Sequence, residues 1–85
     1  MKFLARVAVT PKQAILDPQG KAVAASLHSL GYDEVGDVRL GKLILVRLEC
    51  DSEERARARV DEMCKRLLAN EVIEDYHFEL EVEQA

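Results

Sequence analysis

Residues 2–11 read Lys2-Phe3-Leu4-Ala5-Arg6-Val7-Ala8-Val9-Thr10-Pro11. Phe3, Ala5, Val7 and Val9 fall on one side of an extended chain, and Leu4, Arg6, Ala8 and Thr10 on the other. Side chains alternate along a strand, so this pattern predicts a strand with one strongly buried face. Pro11 has no N–H to give to a sheet ladder and closes the strand. A strand buried on one face needs a layer of helix against it, and the rest of the chain supplies two candidates.

The first follows a short connector. Asp17 is a good cap for free backbone N–H groups, and Pro18 at the first helical position loses nothing by lacking one. The helix is predicted over 18–30, with Gly31 as a left-handed terminator and Val23, Leu27 and Leu30, widened by Ala24, as its apolar stripe. Gly20 in the first turn costs up to ~1 kcal/mol in helix propensity. It therefore predicts the close approach of another backbone. The second helix opens at Asp51-Ser52-Glu53-Glu54, where Asp51 and Glu54 have capping-box spacing. Ala56, Val60, Met63, Cys64, Leu67 and Leu68 recur along it at helical spacing, and Asn70 is the predicted stop. Arg55, Arg57, Arg59, Lys65 and Arg66 interleave with Asp61 and Glu62, the pattern of a salt-bridged solvent face.

Between the helices, residues 35–50 read as a hairpin. Val35, Val38 and Leu40 form its first arm, Gly41-Lys42 its turn, with Gly41 expected at positive φ, and Leu43–Leu48 its second arm. The run Leu43-Ile44-Leu45-Val46 is apolar on both faces, which predicts cover on both sides, with a second subunit on one of them. Last, Tyr76, Phe78, Leu80 and Val82 alternate with His77, Glu79, Glu81 and Glu83, a half-buried strand with an acidic outer face. The order β-α-β-β-α-β predicts an α+β, ferredoxin-like sandwich, an antiparallel sheet with two helices on one face and its open face left as a dimer surface.

Size and charge narrow the classes further. With 85 residues and 9.6 kDa the chain is expected to be one domain, 1–85, marginally stable alone. Residues 1–50 carry seven Lys/Arg and five Asp/Glu, residues 51–70 five of each, and residues 71–85 six acids and no Lys or Arg. A chain of net charge −4 without a basic stripe is a poor nucleic-acid binder. No apolar run approaches the ~20 residues of a membrane helix, and Arg6 interrupts any signal-peptide core. A cytoplasmic location is expected, with Cys50 and Cys64 as buried reduced thiols.

Chemistry is sparse. No glycine-rich phosphate loop, zinc-spaced Cys/His cluster or triad spacing is present. Glu74 and Asp75, adjacent on a strand, point to opposite faces and cannot work as an acid/base pair. Gln19-Gly20-Lys21 at a helix start can either hold an anion or act as an ordinary cap. Two readings besides a structural subunit follow from the residues: a regulatory dimer binding an amino acid near Gln19-Gly20, and a cysteine enzyme using Cys64. Cys64 sits on the apolar stripe, which disfavours the second.

Three segments carry a resemblance. They are Leu16-Asp17-Pro18-Gln19-Gly20-Lys21-Ala22-Val23; Leu30-Gly31-Tyr32 with Val35 and Asp37-Val38-Arg39-Leu40-Gly41-Lys42; and Met63 to Tyr76, with Leu67-Leu68-Ala69-Asn70 followed by Val72-Ile73-Glu74-Asp75-Tyr76. In this order and spacing, from about residue 3 to residue 82, the chain resembles the PurS family, the small subunit of phosphoribosylformylglycinamidine synthase. The resemblance implies a step of purine biosynthesis. The full enzyme converts formylglycinamide ribonucleotide, ATP and glutamine to formylglycinamidine ribonucleotide, ADP, phosphate and glutamate. It implies a large subunit that uses ATP and magnesium, and a separate glutaminase subunit. For this chain it implies a dimeric assembly piece with no catalytic residue, cofactor or metal of its own. The residues expected at partner contacts are Asp17, Gln19, Gly20 and Lys21 at the first helix start, and Arg39, Gly41 and Lys42 in the hairpin. Replacing Lys21 or Arg39 with Glu is expected to leave the fold intact and weaken the complex.

Overall fold

The computed structural model describes residues 1–83. Its centre is β1 (Lys2–Pro11), which pairs antiparallel with β2 (Lys42–Glu49) on one side and β3 (Glu74–Glu83) on the other, giving the order β2-β1-β3. Val7 stands opposite Ile44 and Phe78, and Ala5 opposite Val46 and Leu80. These registers bring Phe3, Ala5, Val7 and Val9 onto one face with the even-numbered apolar residues of both neighbours. Helix α1 (Pro18–Ser29) follows β1. Helix α2 (Glu53–Met63) follows β2 and runs into a single π turn over Cys64–Leu68.

Helix α2 covers the apolar face. Val60, Cys64 and Ala69 join Ala5, Val7 and Val9 in the buried core, with Ile44, Val46, Leu68, Tyr76 and Phe78 packed around them. The α+β class, the antiparallel sheet and the two helices agree with the sequence reading, and the strand order is that of a ferredoxin-like sheet without its outermost strand.

Several local expectations are corrected. Residues 35–40 form no strand, so the expected hairpin has only its second arm and the outer edge of β2 is unpaired. The first arm is short of alternating apolar residues, and its backbone is held elsewhere, as described below. Gly41 does not take positive φ, which Gly31 alone does among the described glycines, at +100°. Gly41 is needed for close approach instead, since a Cβ there would lie 2.4 Å from the Val9 carbonyl oxygen. Ser52, not Asp51, caps α2, its hydroxyl accepting from Arg55 N–H at 3.2 Å. The π turn, closed by Ala69 N–H on the Cys64 carbonyl at 3.0 Å, widens the last turn by one residue. That rotates Leu67 off the apolar stripe, leaving it 83% exposed while Cys64 stays buried.

The largest departure concerns α1. Its cap is as predicted, with Asp17 accepting from Gly20 N–H at 2.9 Å, Pro18 in the first turn and the helix ending at Ser29 before Gly31. Yet α1 does not lie beside α2 on the sheet. Gly20 is its only buried residue, whereas α2 buries Ala56 and Val60. Segment 31–38 folds back along it: Tyr32 N–H donates to the Leu27 carbonyl at 3.0 Å, and His28 Nε2 lies 2.7 Å from the Val35 carbonyl oxygen. The two form an arm. The radius of gyration is 16.6 Å and the long dimension 50 Å, against a radius of about 12 Å for a compact domain of this length.

The open sheet face is divided. Leu43 and Leu45 on β2 are 62% and 52% exposed. The β3 half is acidic and partly neutralised by Arg6–Glu81 at 2.9 Å and Arg47–Glu83 at 3.2 Å. An apolar second cover is therefore called for along β2 only.

Candidate functional site

The seven residues expected at partner contacts converge at the neck where the arm leaves and re-enters the sheet. The carboxylate of Asp17 accepts from Gly20 N–H with one oxygen and from Leu40 N–H, at 2.7 Å, with the other. It thereby joins the start of α1 to the end of the returning segment. The two backbone donors, that of Leu40 foremost, hold the Asp17 carboxyl below the usual carboxylate range. The Arg39 guanidinium does the complementary work on carbonyls. It donates to Lys12 O at 2.7 Å, to Gln13 O at 3.3 Å and to Ile15 O. Its Nε is buried without a partner. Gly20 sits where the two backbones cross, as its cost in helix propensity predicted: a Cβ there would lie 2.0 Å from the Val38 carbonyl oxygen.

The remaining residues border this neck. Gln19, Gly41 and Lys42 line a cleft of about 270 Å³ with Asp17. Lys21 lines an adjoining one of about 250 Å³ with Asp37 and Arg39. Asp17, Gly20, Arg39 and Gly41 therefore build the site, and Gln19, Lys21 and Lys42 are what it presents to solvent. Arg39 was expected to be replaceable by Glu without harm to the fold. Its three carbonyl partners overturn that, because a carboxylate there would face three acceptors. Lys21 is exposed and remains replaceable.

The neck does not receive an anion at the helix start, since Asp17 already occupies those N–H groups. Cys64 is buried, and burial pushes its thiol up, so it stays protonated at neutral pH, the opposite of what a nucleophile needs. Cys50 is only partly buried, and both cysteines are free. Among the described residues no three His, Cys, Asp or Glu side chains gather as a metal site, and no helix is long and apolar enough to cross a membrane. What the neck offers is a hydrogen-bonded relief at one end of the sheet, its larger cleft walled by Val9, Ile15, Leu16, Leu40 and Ile73 and edged by Gln19 and Lys42.

One tie escaped the sequence reading. Tyr76 on β3 donates to Asp61 on α2 at 2.6 Å, and Lys65 pairs with the same carboxylate at 3.1 Å. The Tyr76 hydroxyl is pushed up to about 12 by that bond, and Asp61 is held low by it. The signal available was only that Asp61 flanks the apolar stripe of α2 and Tyr76 belongs to the inward set of β3.

The family model described as phosphoribosylformylglycinamidine (FGAM) synthase, PurS, matches residues 4–82. The chain belongs to the PurS family. A PurS subunit of phosphoribosylformylglycinamidine synthase from Bacillus subtilis is 48% identical over 79 residues, covering 93% of each chain. The crystal form of Thermus thermophilus PurS superposes with a TM-score of 0.88 at 34% identity, over 99% of this chain and 100% of that one. A chain in the structure of PurLQS from Thermotoga maritima superposes with a TM-score of 0.87 at 28% identity, over 95% and 99%. The three-stranded antiparallel sheet with two helices therefore matches the solved PurS structures.

Proposed function

We infer that this PurS chain is the small, non-catalytic subunit of an ATP- and glutamine-dependent phosphoribosylformylglycinamidine synthase. In this reading it is a single domain, 1–85, that acts in the cytoplasm as a homodimer. It joins a large synthetase subunit, which uses ATP and magnesium, to a glutaminase subunit. The observation that carries the reading is the match over nearly the whole chain to curated PurS subunits. The physical chemistry supports it. Ammonia released by a glutaminase is protonated and lost in bulk water, so the two active sites must be held together in a water-excluding assembly. A small protein with a hydrogen-bonded neck and cleft at one end, and with apolar surface left uncovered on α1 and β2, is suited to being held between larger bodies. The neck, through Gln19, Lys21 and Lys42, is the surface assigned to the larger subunits.

The test is reconstitution. Mixing this chain with the large and glutaminase subunits should give glutamine-dependent amidation that the pair without it lacks. Equal glutamine-dependent turnover with and without the chain would remove the reading.

A further inference from the structure

The sheet face turned away from α2 is built in rows. From β2 across β1 to β3 the registers align Leu43, Ala8 and His77; then Leu45, Arg6 and Glu79; then Arg47, Leu4 and Glu81. The rows far from the neck are closed over by charge. Arg6 bonds Glu81 at 2.9 Å, and Arg47 reaches across β1 to Glu83 at 3.2 Å. Leu4, among these ion pairs, is only 5% exposed. Nothing comparable lies over the rows nearest the neck. There Leu43 and Leu45 stand largely exposed, and the small side chain of Ala8 leaves a dip between Leu43 and His77.

The charges on this face do not balance. Asp75, Glu79, Glu81 and Glu83 all turn to it from β3. Lys12 meets Asp75 at 2.9 Å, and Arg6 and Arg47 meet Glu81 and Glu83. Glu79 makes no ion pair among the described residues, although Arg6 stands opposite it in register. The neck end of the face therefore sets an apolar strip on β2 and an unmet carboxylate on β3, two strand spacings or about 10 Å apart. An apolar centre with charge at its margin is the composition of a protein–protein contact.

A second copy stacked face to face does not match this pattern. Sheets that pack on each other keep their strands nearly aligned, and a two-fold contact must be self-complementary. With the two-fold axis along the strands, each β2 lies over the other copy's β3, and leucines meet carboxylates. With the axis across the strands, β3 lies over β3, and carboxylates meet carboxylates. The face fits a different protein, with apolar side chains over β2 and a cation over β3.

We propose that the neck end of the open sheet face docks on one of the larger subunits, which lays an apolar ridge against Leu43, Leu45 and Ala8 and sets a Lys or Arg against Glu79. This rests on the subunit reading above and extends the contact from the neck, through Lys42 at the start of β2, onto the sheet. The ion-paired far rows stay outside it.

Titration calorimetry of the full chain into a mixture of the large and glutaminase subunits tests it. Leu43→Glu puts a charge on the apolar strip, and Glu79→Lys reverses the unmet carboxylate. Glu54→Lys makes the same charge change on α2, on the other side of the sheet, where Glu54 is exposed. Sedimentation equilibrium and a thermal melt of each variant are run alongside. The expected result is at least tenfold weaker binding for Leu43→Glu and for Glu79→Lys, wild-type binding for Glu54→Lys, and wild-type mass and melting for all three. Wild-type binding by both face variants overturns the docking and leaves the subunit reading standing. A weakening by Leu43→Glu alone, or an equal weakening by Glu54→Lys, overturns the cation over β3. A fall in the mass of the isolated Leu43→Glu chain means that a second copy covers the strip and overturns the docking. If Leu43→Glu fails to fold, Glu79→Lys decides by itself, and wild-type binding there overturns the proposal. A wild-type chain that binds neither subunit overturns the subunit reading and the docking together.

Discussion

Gly20→Ala sets two physical effects against each other at one atom. Gly20 lies inside α1, and helix propensity alone predicts a gain of up to ~1 kcal/mol on adding the methyl group. The neck predicts the opposite. The new Cβ would lie 2.0 Å from the Val38 carbonyl oxygen and 2.9 Å from Asp17 Oδ2, where ordinary contact begins at 3.4 Å. Relief requires the two backbones to part by well over 1 Å. Asp17 bonds both Gly20 N–H and Leu40 N–H, so parting them lengthens one of those bonds or both. Overpacking costs typically 1–3 kcal/mol, and a carbonyl held by the backbone gives way less readily than a side-chain end, which places this site at the upper limit. Subtracting the propensity gain leaves a net loss of about 2 kcal/mol. For a domain of this size that corresponds to a fall in Tm of roughly 8–16 °C. Circular dichroism melts at one fixed chain concentration measure it, since association contributes to the apparent stability. Gly36→Ala is the control: a Cβ there meets nothing within 4 Å and its φ is not positive, so its Tm should hold or rise slightly. If Gly20→Ala melts at or above the wild-type temperature, the backbone crossing is not tight and the rigid presentation of the arm fails with it.

Further outcomes can be checked independently. Val60→Ala removes two methyl groups from the centre of the core under α2 and should cost about 2 kcal/mol in urea unfolding. An unchanged midpoint would mean that α2 does not seal the sheet. Tyr76 has a folded value of about 12 against an ordinary 10.0. The folded state holds its proton longer than the unfolded one, so this contribution is intact below pH 10 and is lost as pH rises towards 12. Asp61, held low, contributes above the ordinary carboxylate range and loses that contribution in acid. Tyr76→Phe should therefore flatten the alkaline loss of stability between pH 10 and 12, and parallel pH profiles of the two proteins would refute the tie. Lys21→Glu should leave the melting curve unchanged and weaken binding to the large subunit at least tenfold by titration calorimetry, whereas unaltered binding would take Lys21 out of the contact.

The local rules were legible because they are carried by neighbours in sequence. Alternation in residues 2–10 and 76–83 gave β1 and β3 with the correct inward faces, since a side chain's side of a strand depends only on parity. Asp17-Pro18 gave the start of α1, because capping needs only the next three N–H groups. The cost of Gly20 in a helix correctly signalled a backbone nearby but could not say which. The same limit applies to Arg39, whose role at Lys12, Gln13 and Ile15 depends on segments more than twenty residues away. Residues 35–40 were read as a strand from three apolar residues and a Gly-Lys turn. Tertiary structure put them on the neck and along α1, where Asp17 and Gly20 claim their backbone. Leu67 was placed inside by a constant helical period, and one π turn moved it out. A hydrophobic stripe can be read from spacing alone, as on α1. What it packs against cannot, because the free energy of burying it is indifferent to whether the covering surface comes from the same chain or another. Only the three-dimensional path of this chain, with its neck tied and its arm held off the sheet, shows that the cover is not supplied from within.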